Sequence, residues 1–266
     1  MYNKTNIELA LKNVVIFSDL SKTLVNYKEP FDERKKSILN RLLKLVKKFV
    51  LVTGQPSDDP QVKDFYKCFD NSTEQKIVIY ISRGAARATL KNNELEIDKQ
   101  YNRQFLIEKQ LVKYFLKIAD EILQNKNIER LIPDCLLEHA VYRINIHPKN
   151  RPLIVSLLSN RIKKDNLFNF KIIPEGATSI YIANKNLNKK YAVENELKFI
   201  SEKTPTYYFG DEFEKGNDQD VLSVNRLIVY AIGEKKQKRD LALPEIIAEN
   251  PDELYKLFLR SIEHNK

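Results

Sequence analysis

The chain is 266 residues long, 42% of them hydrophobic, and carries a formal net charge of +9. These values fit a folded protein with a sizeable core, in one large domain or two, and no apolar run approaches the roughly 18 residues of a membrane span. Lysine is spread along the whole chain and not gathered into one arm, so we expect no nucleic-acid or membrane partner but a small anionic one.

The first predicted strand lies in residues 14–25, where an apolar run, Val-Val-Ile-Phe, leads into Ser18 and Asp19. A short apolar run that ends in polar residues is typical of a buried parallel strand, and ligands of such sheets bind where the strands end. Asp19 is therefore a candidate functional residue. The alternative is a buried strand that ends in an ordinary Asx turn.

A helix over residues 32–48 follows, and then a second buried strand begins at Phe49 and ends in Thr53 and Gly54. A hydroxyl beside a flexible glycine at a strand end is suited to bind an oxyanion through the side chain and the backbone N–H. A plain strand end with a turn would explain the same residues.

The middle of the chain adds a series of shorter elements. In order, the pattern predicts a helix at 58–67, a strand at 76–81, a hairpin that turns at Asn92-Asn93, a helix at 101–124, a half-exposed strand at 139–147, a helix at 150–164, and strands at 168–173 and 179–183. Strands near both chain ends lack the alternation seen in the middle. We therefore expect a Rossmann-like α/β parallel-sheet core, residues 1–85 and 185–266, with an inserted α+β domain at 86–184.

In the last third, a helix opens at Lys189 and a strand, Thr-Tyr-Tyr-Phe, leads into Gly210 and Asp211. Asp218 ends the acidic loop that follows. Hard divalent cations take oxygen ligands from such carboxylates, so this loop is a candidate cation site. A solvated acidic loop is the alternative. The remaining predicted elements are a strand at 226–232 and a helix at 251–264.

Four of these stretches stand in the order found in the haloacid dehalogenase superfamily of phosphohydrolases. Asp19-Leu-Ser-Lys-Thr-Leu resembles that family's Asp-x-Asp-Gly-Thr-Leu motif, and Leu-Val-Thr53-Gly resembles its second motif. Lys189-Lys-Tyr-Ala resembles the Lys-Gly-x-Ala element that opens a helix after the cap, and Gly-Asp211 with Gly-Asn-Asp218 resembles the acidic fourth motif. The insertion is similar to the type II cap of sugar phosphatases and phosphomannomutases in the superfamily.

This resemblance implies a phosphatase for a small phosphorylated metabolite, expected to be a sugar phosphate. Asp19 would be the nucleophile that forms an aspartyl-phosphate, and Thr53 with Gly54 would bind a phosphoryl oxygen. Lys189 would offset the negative charge on Asp19 and on the phosphoryl group.

The resemblance also implies Mg²⁺ as the cofactor, because an anionic nucleophile must approach an anionic phosphate. Asp19, Asp211 and the backbone carbonyl of Ser21 would bind the cation. Asp218 would complete or support that site.

Two positions depart from the family pattern. Ser21 stands where the family has its second aspartate, the general acid/base, and Lys22 replaces the usual glycine. Losing such an acid/base costs about 10²–10⁴-fold in rate, least for leaving groups of low pKa. One hypothesis is a phosphatase whose rate or substrate is altered by Ser21. The other is a catalytically impaired protein of this fold that binds a phosphorylated ligand or a partner in a regulatory role. A phosphomutase is disfavoured by Ser21.

Basic residues are candidates for substrate contacts. Arg83 lies at the junction between core and insertion, and Arg143, His147 and Arg151 lie near the end of a predicted strand in the insertion. Exposed surface residues are the alternative for the last three. 

The two cysteines, Cys68 and Cys135, are far apart and have no metal-like spacing, which indicates free thiols in a reducing compartment. The first residues lack the apolar core of a signal peptide. We therefore expect a cytoplasmic protein, as a monomer or a homodimer.

Overall fold

The computed structural model describes residues 9–214, 216–233 and 244–265. The first eight residues, on which the signal-peptide prediction depends, lie outside the described residues. The chain divides into two compact units. The core unit consists of Met1–Asp98 and Asn188–Lys266, and the inserted unit consists of Lys99–Leu187. A mostly parallel sheet in one unit and an antiparallel sheet in the other confirm the predicted fold class.

Helices and strands alternate along most of the chain. The strands are β1 (Val15–Ser18), β2 (Lys48–Val52), β3 (Ile77–Ile81), β4 (Ala86–Lys91), β5 (Glu94–Ile97), β6 (Arg130–Leu137), β7 (Val141–Ile146), β8 (Phe170–Glu175), β9 (Ser179–Asn184), β10 (Thr206–Gly210), β11 (Ile228–Ile232) and β12 (Glu245–Ala248). The helices are α1 (Glu33–Leu45), α2 (Pro60–Tyr66), α3 (Lys99–Asn102), α4 (Lys109–Asn125), α5 (Arg151–Lys164), α6 (Lys189–Leu197) and α7 (Pro251–His264).

The core sheet has the strand order β12-β11-β10-β1-β2-β3-β4-β5. The first six strands in this order are parallel, and β4 and β5 are antiparallel to their neighbours. From the central strand β1 the chain continues to β2 on one side, and it returns later to β10 on the other side. The carboxyl ends of these three strands therefore meet at a topological switch point, where open α/β sheets bind their ligands.

Apolar residues at helical spacing explain why α1 packs on this sheet. The side chain of Asp32 caps the helix by accepting a hydrogen bond from the Lys35 N–H at 2.7 Å. Ile38 and Leu42 are buried in one cluster with Phe258 of α7 and with residues of the sheet. Full burial of each such side chain contributes roughly 1.5–3 kcal/mol, so this apolar layer anchors the sheet that positions the site.

The hairpin predicted at Asn92-Asn93 is present as β4 and β5, and both asparagines have positive φ angles. It belongs to the core sheet, because β4 pairs antiparallel with β3. The predicted start of the insertion at residue 86 is therefore wrong, and the inserted unit runs from Lys99 to Leu187 instead of 86–184. Alternation alone does not reveal which sheet a hairpin joins.

The inserted unit contains an antiparallel sheet of order β6-β7-β9-β8. Alternation along β7 places Tyr142, Ile144 and Ile146 in the apolar cluster that also contains residues of α4 and α5. Arg143 and Asn145 therefore lie on the opposite face of the sheet.

One predicted helix is divided in the structure, and two strands have no counterpart in the prediction. The helix expected at 101–124 is two helices, because turns separate α3 from α4, which begins at Lys109. The strands β6 and β12 were not predicted. None of the helices in the described part of the chain is both long and apolar enough to cross a bilayer.

Candidate active site

Asp19, Thr53 and Asp211 come directly after the carboxyl ends of β1, β2 and β10. Ser18, the last residue of β1, is in register with Phe209 of β10, and the Asp19 N–H donates to the Phe209 carbonyl at 2.9 Å. This parallel pairing brings residues that are far apart in the sequence to one edge of the sheet, as predicted.

Three carboxylates meet at this edge. Oxygen atoms of Asp19, Asp211 and Asp218 all lie within 4.8 Å of one another. The fully buried Lys189 places its Nζ atom 2.9 Å from Asp19 Oδ1 and 2.8 Å from Asp218 Oδ1. Lys189 is the first residue of α6, where the helix dipole disfavours a cation, so the two carboxylates supply the compensating charge.

Asp218 accepts hydrogen bonds at both carboxylate oxygens. Oδ1 receives the Lys189 ammonium and the hydroxyl of Tyr208. Oδ2 receives the backbone N–H groups of Asp211 at 3.3 Å and Glu212 at 3.2 Å. Asp218 therefore orients both Lys189 and the start of the loop after β10.

Gly210 permits this close approach. A Cβ atom added at this residue would lie 2.8 Å from both Cγ and Oδ2 of Asp218, and 3.0 Å from Phe213 Cζ. Any other residue would push the Asp218 carboxylate away from the strand, which gives this glycine a packing role.

Burial and mutual repulsion disfavour the charged forms of two of these carboxylates. Burial, with the nearby charge of Asp218, raises the pKa of Asp19 to about 6 against the opposing effect of Lys189. Burial and the charges of Asp19, Asp218 and Glu212 raise the pKa of Asp211 to about 8. An oxygen-lined site with excess negative charge fits a hard divalent cation such as Mg²⁺.

The alternative of a solvated acidic loop is wrong for two of its acids. Asp218 is completely buried, and the Asp211 side chain is only 10% exposed. The Thr23 hydroxyl donates to Asp211 Oδ1 at 3.3 Å. Glu212 is 43% exposed, and it pairs with Lys22.

Ser21 is held by two glutamines. Its hydroxyl donates to Gln61 Oε1 at 2.8 Å and accepts from Gln55 Nε2 at 2.8 Å. The amide of Gln61 is fixed in turn, because its Nε2 donates to the carbonyls of Asn26 and Glu29, both at 2.8 Å. A hydroxyl and two amides do not titrate near neutral pH, so this trio offers no general acid or base.

Thr53, Gly54 and Arg83 lie together at the ends of β2 and β3. Thr53 is buried, its Oγ1 accepts from the Gln55 N–H at 3.2 Å, and its carbonyl accepts from the Arg83 N–H at 2.9 Å. Arg83 is buried and has a left-handed backbone with φ of 63°. Strained backbone of this kind is concentrated at functional sites.

The remaining candidates lie in the inserted unit. The His147 ring accepts from the Lys149 N–H, and Arg151 donates to the Gly176 carbonyl, so both have local structural contacts. Arg143, on β7, has a buried Nε atom without a hydrogen-bond partner among the described residues. It therefore remains the candidate of this group for a ligand contact.

Residue patterns did not identify Gln55, Gln61 or Tyr208. Glutamine in a helix or loop and tyrosine in a strand are common, and the glutamine contacts join Ser21 to residues 34 and 40 positions away. Thr23 carries a weak signal, since it belongs to the Asp19-Leu-Ser-Lys-Thr-Leu stretch that resembles a known motif.

No family model and no curated protein sequence matches this chain. Its structure is similar to that of a haloacid dehalogenase-like hydrolase from Bacteroides thetaiotaomicron, with a TM-score of 0.67 and 15% identity over 94% of this chain and 99% of the other. It is also similar to trehalose-6-phosphate phosphatase from Aspergillus fumigatus, with a TM-score of 0.62 and 9% identity over 95% and 93% of the two chains.

A third similar structure is the IMP-bound IMP-nucleotidase of Plasmodium falciparum, with a TM-score of 0.57 and 15% identity over 96% of this chain and 69% of the other. At such identities structural similarity establishes the fold. The core topology, the inserted unit and these similarities together show that the chain has the fold of the haloacid dehalogenase-like hydrolases.

Proposed function

We propose that the chain is a phosphohydrolase that transfers the phosphoryl group of a small phosphorylated metabolite first to Asp19 and then to water. The observation that carries this proposal is the Asp19 carboxylate, which lies 2.9 Å from the buried Lys189 ammonium and within 4.8 Å of Asp211 at the switch point of the sheet. The similarity of the fold to structures of a hydrolase, a phosphatase and a nucleotidase supports it.

In this mechanism an oxygen of Asp19 attacks phosphorus, and the bond from phosphorus to the leaving-group oxygen breaks. Lys189 stabilises negative charge on Asp19 and on the phosphoryl group. The Thr53 hydroxyl and the Gly54 N–H bind phosphoryl oxygens. Water then attacks phosphorus, and Asp19 leaves as a carboxylate.

The proposed cofactor is Mg²⁺, which when bound would offset the charge between the carboxylates and the phosphate. Asp19, Asp211 and the backbone carbonyl of Ser21 would hold it. We assign Asp218 to support of this site, because both its oxygens already accept hydrogen bonds from the protein.

For the substrate we propose a sugar phosphate, with Arg83 of the core unit as a contact for its anionic or hydroxylated groups. The second candidate function is binding of a phosphorylated ligand or a partner without turnover. The neutral Ser21, Gln55 and Gln61 trio favours that alternative, since it leaves protonation of the leaving group to water.

The test is phosphate release with Mg²⁺ from an aryl phosphate and from a panel of sugar phosphates. Activity should require Mg²⁺ and should disappear in Asp19→Asn, which has the same shape but is a poor nucleophile. Glu33→Gln, on the exposed surface of α1, is the matched control for loss of one carboxylate. If the wild-type protein releases no more phosphate than Asp19→Asn while both stay folded, the phosphatase is ruled out and the binding function is favoured.

A further inference from the structure

Lys22 has a backbone conformation that is uncommon for lysine. Its φ angle is 62°, and its N–H donates to the Val25 carbonyl at 2.6 Å within a tight turn. Side chains with a Cβ atom are disfavoured in this left-handed region, which glycine adopts without penalty. A lysine at this position therefore needs a compensating interaction.

The structure shows that interaction as an ion pair at the edge of the carboxylate cluster. Lys22 Nζ lies 3.1 Å from Glu212 Oε1 and 3.9 Å from Asp211 Oδ2. Lysine is protonated at neutral pH, so Lys22 places an ammonium group beside Asp211.

Two ammonium groups approach the three clustered aspartates among the residues that the structure describes. Lys189 pairs with Asp19 and Asp218, whereas Lys22 pairs with Asp211. The two lysines differ in freedom, because Lys189 is completely buried and the Lys22 side chain is 57% exposed. A lysine side chain has a long flexible stem, so the Lys22 ammonium can move between Asp211 and Glu212.

We propose that Lys22 competes with the divalent cation for Asp211, and that Glu212 holds the ammonium away from it. The Lys22–Glu212 pair then sets the cation affinity of the site. This inference rests on the cation site of the proposed function. Its physical basis is simple, since an ammonium close to a ligand oxygen repels a second cation that binds there.

The experiment measures Mn²⁺ binding, by electron paramagnetic resonance of the free ion, to the full chain without substrate. Lys22→Met should bind Mn²⁺ about three- to tenfold more tightly than the wild-type protein at low ionic strength, and the difference should shrink in high salt. Lys36→Met, which removes a lysine paired with Glu33 on α1, controls for net charge and should leave the affinity unchanged.

Glu212→Gln tests the second part of the proposal. Loss of a nearby negative charge weakens Mn²⁺ binding in any background, but loss of the hold on Lys22 acts only when Lys22 is present. The weakening should therefore be larger in the wild-type background than in Lys22→Met, as a double-mutant cycle reports.

Equal affinities of Lys22→Met and Lys36→Met would overturn the competition, and equal effects of Glu212→Gln in both backgrounds would overturn the role of Glu212. Neither result would affect the proposed phosphatase. If the wild-type protein and Asp211→Asn bind Mn²⁺ equally, or neither binds it, the cation site and this inference both fail. Tighter binding by Lys22→Met without phosphate release would support the inference and contradict the phosphatase.

Discussion

The hydroxyl of Tyr208 donates to the same oxygen of Asp218 that the Lys189 ammonium contacts at 2.8 Å. All three side chains are completely buried. Burial and the charge of Asp218 raise the pKa of Tyr208 well above its usual value, so the phenol remains a hydrogen-bond donor. Tyr208 is therefore a positioning residue, which holds Asp218 and, through it, Lys189.

Tyr208→Phe should reduce both stability and turnover. Loss of one buried hydrogen bond is expected to cost about 1–2 kcal/mol in the free energy of unfolding, and a less ordered Lys189 should lower kcat by about tenfold. Tyr207→Phe, on the same strand, serves as the control, because the Tyr207 hydroxyl has no side-chain hydrogen bond to the described residues. Urea unfolding and phosphate release measure the two effects. Similar values for both variants would contradict the positioning role.

Ser21→Asp should restore an acid/base group where the trio has none. Gln61 is fixed with its carbonyl oxygen toward residue 21, so a carboxyl there is favoured in its protonated form, which can donate. We expect kcat on alkyl phosphates to rise at least about tenfold more than kcat on aryl phosphates, because only alkyl leaving groups need a proton. Steady-state kinetics on both classes provide the comparison. Equal changes would argue against a missing general acid at this position.

Glu196 ties α6, the helix that begins at Lys189, to the core sheet. Its buried carboxylate lies 2.6 Å from Lys48 Nζ and 3.1 Å from Arg87 Nε, and it accepts from the Tyr80 hydroxyl at 3.0 Å. Glu196→Gln removes the carboxylate that Lys48 and Arg87 share, although Arg87 keeps its ion pair with Asp98 at 3.4 Å. We expect a loss of about 2–4 kcal/mol in unfolding free energy, because the two cations are partly exposed and the full buried-pair cost does not apply.

The stability effect of Glu196 should depend on pH. Burial would raise its pKa, but Lys48 and Arg87 lower it on balance below the ordinary 4.5. A lowered pKa stabilises the folded state above pH 4.5, and that contribution disappears as pH falls through the folded value. The difference between wild type and Glu196→Gln should thus shrink in acid. Glu194 forms an exposed ion pair with Lys190 on the same helix. Glu194→Gln should therefore change the free energy of unfolding by less than about 1 kcal/mol at any pH.

Mg²⁺ should stabilise the protein more at pH 8.5 than at pH 6. The pKa of Asp211 is raised from 3.8 to about 8 in the folded state without a cation. The contribution of the protonated Asp211 to the stability of the folded state is complete below pH 3.8, and it is lost as the pH rises through 8. At pH 6 the cation must displace a proton, whereas at pH 8.5 it binds a carboxylate already ionised. Thermal unfolding with and without Mg²⁺ checks this, and Asp211→Asn should lose the stabilisation by Mg²⁺ at both pH values.

The sequence predicted the parts of the fold that depend on local patterns. Helix α7 has the predicted bounds, because its apolar spacing is a local signal, and helix α6 begins at the predicted Lys189. Strand β6 was missed because it is an edge strand with register shifts, an internal Pro133, and exposed Leu131 and Ile132, so alternation fails there. Pairing of β4 with β3 depends on contacts between strands, which no local pattern records.

The same limit applies to the site. Asp19 and Asp211 were candidates because each stands at a strand end that a local pattern locates, and Lys189 was a candidate because its stretch resembles a motif of a known family. Tyr208 and Gln61 were not, since each acts through side-chain hydrogen bonds to residues outside its own strand or helix. Predicting such a bond requires side-chain positions in three dimensions.

Asn188 is the first residue of the core unit after the insertion, and its side chain caps α6 by accepting from the Tyr191 N–H at 2.7 Å. Lys189 follows it directly. A recombination event that exchanged residues 99–187 for another insert would therefore leave the carboxylate cluster and its lysine intact, provided the junction fell before this asparagine. All residues of the cluster thus lie outside the insertion in the sequence, so an exchange of the insert replaces none of them.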